Sequence, residues 1–126
     1  MRNVAVIFLH SRGKVLLQHR AHDAKRASGK WSFFGGGMEE GETPSEAVKR
    51  ECFEELCYEL ENPRLIYQGI INKGDMIYVY IEEFDTKRKL VLKEGQDMGW
   101  FYPEEVKKLD VIPHDASILL KIQNEL

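Results

Sequence analysis

Two short apolar runs open the chain, at 4–9 and 14–19, and His10, Ser11, Arg12 and Gly13 separate them. Apolar runs of about six residues bounded by turn formers predict strands, here joined as a hairpin. A polar stretch at 21–30 predicts a loop over the site, and 31–34 a short strand feeding Gly35, Gly36 and Gly37. Helical signals then take over. Thr43, Pro44, Ser45 and Glu46 form a capping box with proline at the first helical position, so a helix is expected over 43–58. Strands are expected at 64–72 and 76–84 around a turn of Lys73, Gly74 and Asp75, with shorter ones at 89–92 and 98–101. Pro103, Glu104 and Glu105 start a short helix, and Ile118, Leu119 and Ile122 make 115–126 an amphipathic one. This order implies an α/β (α+β) fold with a mixed sheet between helices.

Composition narrows the class. At 126 residues the chain suits one domain spanning 1–126, and 43% hydrophobic with 10% aromatic residues suits a folded core. A net charge of −3 with no basic stripe argues against a nucleic acid polymer as partner. Cys52 and Cys57 stand five apart on one expected helix, so they point in different directions, and both are expected as reduced, buried thiols. The run at 4–9 is too short for a signal segment or a membrane span. A soluble cytoplasmic protein, monomeric or homodimeric, is the expectation.

The chemistry is concentrated at 36–58. Glu51, Glu54 and Glu55 are related as i, i+3 and i+4, so a helix presents them on one face. Glu42 lies just before the helix, in a glycine-rich loop able to fold back over its start. Four carboxylates are then expected to converge on one point. Such a cluster costs helix stability unless a cation neutralises it. Oxygen donors without histidine or thiolate suit Mg²⁺, with Mn²⁺ as a substitute, and Mg²⁺ commonly completes its shell with substrate phosphates. The competing reading is a solvated acidic face, because 31% of the chain is charged and Glu39-Glu40, Glu82-Glu83 and Glu104-Glu105 are further doublets.

Gly36, Glu42, Arg50, Glu51, Glu54 and Glu55 reproduce the spacing G-x5-E-x7-R-E-U-x-E-E-x-G-U, with U aliphatic. In this the chain resembles the Nudix hydrolase family, and within it the MutT-like nucleotide pyrophosphohydrolases. Gln18, His19, Arg20 and Ala21, then Trp31, Ser32 and Phe33, and later Glu94, Gly95, Gln96, Trp100, Pro113 and Asp115 follow in the order such proteins show. One box position departs: Cys57 stands where the family has glycine. Cys57 must therefore adopt a left-handed conformation or let the helix run on toward Asn62 and Pro63. Phe34 replaces the proline many relatives carry before the paired glycines.

The resemblance implies an α/β/α sandwich and hydrolysis of a phosphoanhydride in a nucleoside diphosphate linked to another group. Nucleoside and deoxynucleoside triphosphates come first as substrates. ADP-ribose, nucleotide sugars and dinucleoside polyphosphates are alternatives, and a non-catalytic nucleotide-binding module is an alternative of another class. It implies Glu51, Glu54, Glu55 and Gly36 as metal ligands and Arg50 as the residue that orients a box glutamate. The general base is Glu94 or Glu55. Arg20 is placed to contact phosphate, with an ordinary surface arginine the alternative, and Asp115 either to read the base or to cap the last helix. From the residues themselves, Phe33, Phe34 and Trp31 are candidates to stack on a base, but aromatic residues on a strand are more often core. The four histidines show no ligand spacing.

Overall fold

In the computed structural model, residues 2–21, 29–72, 74–93 and 97–126 are described. Strands β1 (Val4–Ser11) and β2 (Lys14–His19) form the expected hairpin, turned by Arg12 and Gly13, both at positive φ. Such a two-residue turn matches the right-handed twist of the strands it joins. Next come β3 (Trp31–Ser32), β4 (Phe34–Gly37) and helix α1 (Pro44–Leu56). Strands β5 (Arg64–Ile71), β6 (Asp75–Glu83) and β7 (Asp97–Phe101) precede α2 (Pro103–Val106), α3 (Pro113–Ile122) and a closing 3-10 turn.

Among the described residues, one mixed sheet of seven strands runs in the order β3-β2-β1-β6-β5, with β4 also paired to β1 and β7 to β2. The β1–β6 pair is parallel and the others are antiparallel. A parallel neighbour requires a crossover, and the segment through α1 and β5 supplies it. Strand β1 is apolar at consecutive positions because both its faces are covered. Ala5, Ile7 and Leu9 pack with Ala47, Val48, Cys52 and Leu56 of α1, whereas Val6 and Phe8 pack with Ile118, Leu119 and Ile122 of α3. The result is a sheet between helical layers, as the sequence led us to expect. No described helix is long and apolar enough to cross a membrane.

Three expectations need correction. The run 89–92 is not a strand: Val91 and Lys93 donate their N–H groups to the carbonyls of Leu56 and Glu55, the unsatisfied acceptors at the end of α1. Helix α3 begins at Pro113, so Asp115 lies inside its first turn and is not its N-cap; Ile112 holds that position. Cys57 is exposed, not buried, because α1 stops at Leu56 and Cys57 caps it at φ 52° and ψ 34°. Of the two courses open to Cys57, the chain takes the left-handed one.

Candidate active site

Helix α1 starts where the capping box placed it: the Thr43 hydroxyl accepts the Glu46 N–H at 3.1 Å and Glu46 accepts the Thr43 N–H at 2.9 Å. The start fixes the helical phase, and the phase turns Glu51, Glu54 and Glu55 toward the glycines of β4. Strand β4 gives one edge to β1. The N–H of Gly35 donates instead to Glu55 Oε1 at 2.8 Å. Glu55 is thereby a buried carboxylate tied to a strand, with only 3% of its surface exposed. The Glu51 carboxylate lies so close to Gly36 that a Cβ there would come within 2.8 Å of it. Glycine is needed at that position for the approach, whatever its φ.

Arg50 gathers the remaining charge. It donates to Glu42 at 2.6 and 3.0 Å, to Glu54 at 2.6 Å, to Glu51 at 3.1 Å and to the Gly37 carbonyl at 3.0 Å. These bonds lower the pKa of Glu42, helped by the Glu39 N–H, and raise that of the guanidinium. Among the described residues no three acidic, histidine or cysteine side chains form a metal-holding group. Of the four carboxylates expected to converge on one point, Glu42, Glu51 and Glu54 meet at the Arg50 guanidinium, while Glu55 accepts the Gly35 N–H. Their chemistry still fits a hard divalent cation, since the nearby donors are carboxylate oxygens.

Glu51, Glu54 and Glu55 line one end of a cavity of about 930 Å³, which also reaches Arg2, Arg20, Lys30, Phe33, His114 and Asp115. At the far end Asp115 Oδ2 accepts the Phe33 N–H at 3.1 Å, and Oδ1 lies 3.3 Å from His114 Nε2. Burial lifts the Asp115 carboxyl to about 7, against the pull of the Phe33 N–H and the Arg20 charge. Burial also lowers the pKa of His114. Both shifts favour neutral partners, so this contact is a hydrogen bond more than an ion pair. The arrangement pairs a carboxylate-rich end with a polar niche around Asp115.

A match to the NUDIX domain family model covers residues 1–122. The chain belongs to the Nudix family. It is 30% identical over 124 residues to a nucleoside triphosphatase, NudI, of Enterobacter sp. (strain 638), covering 87% of this chain and 88% of that one. It is 29% identical over 116 residues to an RNA pyrophosphohydrolase of Actinobacillus succinogenes, covering 92% of this chain but 52% of that protein. Among solved structures, the MutT protein of Bacillus halodurans superposes with a TM-score of 0.77 at 25% identity, over 98% of this chain and 82% of that one.

Within this Nudix chain, the box residues Gly36, Arg50, Glu51, Glu54 and Glu55 and the more distant Arg20, Phe33 and Asp115 all border one cavity. Of the two readings of Phe33, stacking and core, the ring takes the core one. The ring is buried edge-to-face on Phe8, and the residue serves the site through its backbone: its N–H meets Asp115 and its carbonyl accepts from the buried Gln18 at 3.1 Å. Tyr78 and Tyr80 pack on the α1 side of the sheet, away from the cavity. Glu94 lies outside the described residues. Sequence reasoning missed Arg2 and His114. The only signal for His114 was its place beside Asp115, and Arg2 gave none.

Proposed function

We propose that this Nudix chain, acting as one domain over 1–126, hydrolyses a phosphoanhydride bond in a nucleoside diphosphate linked to a further group. A nucleoside or deoxynucleoside triphosphate, giving monophosphate and pyrophosphate, is the first substrate. The observation that carries this reading is the buried Glu55, fastened to Gly35 beside Glu51 at one end of a cavity whose other end holds Asp115. The names of the related triphosphatase and pyrophosphohydrolase point the same way.

Glu51, Glu54, Glu55 and the Gly36 carbonyl would hold Mg²⁺, or Mn²⁺ in its place. When bound, that ion neutralises the charge developing on the pyrophosphate bridge. Arg50 orients Glu51 and Glu54, since groups behind metal ligands fix their direction. Arg20 offers positive charge to substrate, and Asp115, held in place by the Phe33 N–H, presents its carboxyl to orient a base. Glu55 or Glu94 takes the proton of the attacking water.

A panel of nucleoside and deoxynucleoside triphosphates, assayed with Mg²⁺ and Mn²⁺ for released pyrophosphate, tests the activity. Glu54→Gln and Glu55→Gln should each cut turnover by about 100-fold or more while the circular dichroism spectrum is kept. Full activity in both variants would remove the metal-site reading. Glu94→Gln decides the base: loss of the acidic limb of the kcat profile assigns it to Glu94, an unchanged profile to Glu55.

A further inference from the structure

We infer that Arg2 grips the terminal phosphate of the substrate and so sets the length of phosphate chain the site prefers. This deepens the nucleotide reading above and rests on it. Neighbouring positions of one short segment carry the parts of the site, with Gly36 turned to the α1 face and Gly37, like its partner Val4, to the α3 face. The Phe33 N–H meets Asp115, the Gly35 N–H meets Glu55, Gly36 abuts Glu51, and Gly37 abuts the guanidinium of Arg2. A Cβ on Gly37 would stand 2.9 Å from Arg2 Nε and 3.0 Å from Nη2, so the contact depends on glycine. At about 3.3 Å per extended residue, the two ends of this row are on the order of 10 Å apart. That is the scale of a nucleotide, not of a single phosphate. A base held at Asp115 therefore directs its phosphates past the carboxylates toward Arg2.

Of the other cations of the cavity, two are committed elsewhere and the third stands at the opposite end. Arg50 is taken up by Glu42, Glu51 and Glu54, Lys30 pairs with Asp110 at 3.2 Å, and Arg20 acts on Asp115 at the opposite end. Arg2 is fixed through its backbone, whose N–H donates to Asp75 Oδ1 at 2.7 Å. Asn3 anchors the same segment, accepting the Met38 N–H on its carbonyl at 2.8 Å and the Met76 N–H on its side chain at 3.2 Å. Among the described residues the Arg2 guanidinium forms no ion pair. Val4, the register partner of Gly37, lines the cavity beside it. A planar fork of donors carried on an anchored backbone, with no carboxylate paired to it among the described residues, matches the oxygens of a terminal phosphate.

The test compares a nucleoside triphosphate with the diphosphate of the same base, in saturating Mg²⁺, on untagged wild type, Arg2→Gln and Arg2→Lys. Arg2→Gln should lower kcat/KM for the triphosphate by about 10- to 100-fold, mainly through KM, and leave the diphosphate nearly unchanged. Arg2→Lys should recover part of the loss, and Gly37→Ala should imitate Arg2→Gln by displacing the guanidinium. Equal losses on both substrates, or no loss, would overturn the inference. If wild type cleaves no nucleotide, the functional reading fails on its own, and calorimetric titration of inorganic tripolyphosphate with Mg²⁺ then decides Arg2. Weaker binding to Arg2→Gln supports the phosphate grip, and unchanged binding sinks it.

Discussion

Asp115 is the residue whose environment departs furthest from its chemistry. A carboxyl buried to 3% exposure, with one N–H donor and a neutral-leaning histidine beside it, keeps its proton to about pH 7 instead of 3.8. Between roughly pH 4 and pH 7 the native chain holds that proton after the unfolded chain has released it, so stability falls as pH rises through this window. Asparagine at 115 would still accept the Phe33 N–H but would not titrate. Urea unfolding of Asp115→Asn and wild type should therefore diverge with pH, the variant gaining on the order of 2–4 kcal/mol by pH 8 relative to its standing at pH 4. Glu42 acts with the opposite sign: its pKa is depressed by Arg50, so its contribution is present above 4.5 and lost as pH falls below it. Because Glu42 is common to both proteins, it cancels in the difference. Parallel pH profiles would show that Asp115 ionises as freely as a surface carboxylate. The thiol of Cys52, pushed up to about 12 by burial, stays protonated throughout.

Helix α1 shows which elements a sequence discloses. Its start was readable because a capping box is local: Thr43 and Glu46 satisfy each other across three residues. Its three-glutamate face followed from the period alone. Its end was less readable, since Cys57 allowed two outcomes, and the left-handed one prevailed because the Cys57 N–H donates to the Phe53 carbonyl at 2.9 Å and closes the last turn. An L residue pays about 1 kcal/mol for that conformation. Cys57→Gly should accordingly stabilise the fold by about 0.5–1 kcal/mol in chemical denaturation, the greater freedom of glycine in the unfolded chain offsetting part of the relief. A destabilised variant would mean that the Cys57 side chain makes a contact worth more than the strain. The start of α3 was misread because Asp115 before an apolar run imitates a cap, whereas Pro113 already occupied the first turn. The run at 89–92 is apolar like a short strand, and Val91 within it and Lys93 just past it do donate at alternate residues. Their acceptors are helix carbonyls over thirty residues away, and no local pattern reveals such partners. The Phe33–Asp115 and Arg2–Asp75 bonds span 82 and 73 residues, which is why the carboxylate end of the site was legible and the rest of the cavity was not.

At the scale of the whole molecule, the question is how an acidic cluster set into the fold is tolerated before any divalent ion arrives. Arg50 supplies the answer, because its guanidinium touches Glu42, Glu51 and Glu54 and offsets the repulsion that this helix face would otherwise carry. Folding should therefore not require metal. In EDTA the wild-type chain should melt cooperatively with its full far-ultraviolet dichroism. Mg²⁺ should then raise Tm by a saturating few degrees, since an ion at about 100 times its Kd adds about 2.7 kcal/mol. Arg50→Ala makes the account sharper: stripped of its counter-charge, the cluster repels in EDTA, and an added cation takes over the neutralising role. The stability deficit of the variant should shrink as Mg²⁺ is titrated in. Differential scanning calorimetry at several Mg²⁺ concentrations reads both effects. Unfolding of the wild type by EDTA would show that the ion, not Arg50, holds the cluster. A deficit in Arg50→Ala that ignores Mg²⁺ would show that the arginine acts through its bonds to Gly37 and the loop at Glu42, and that charge balance is not its task.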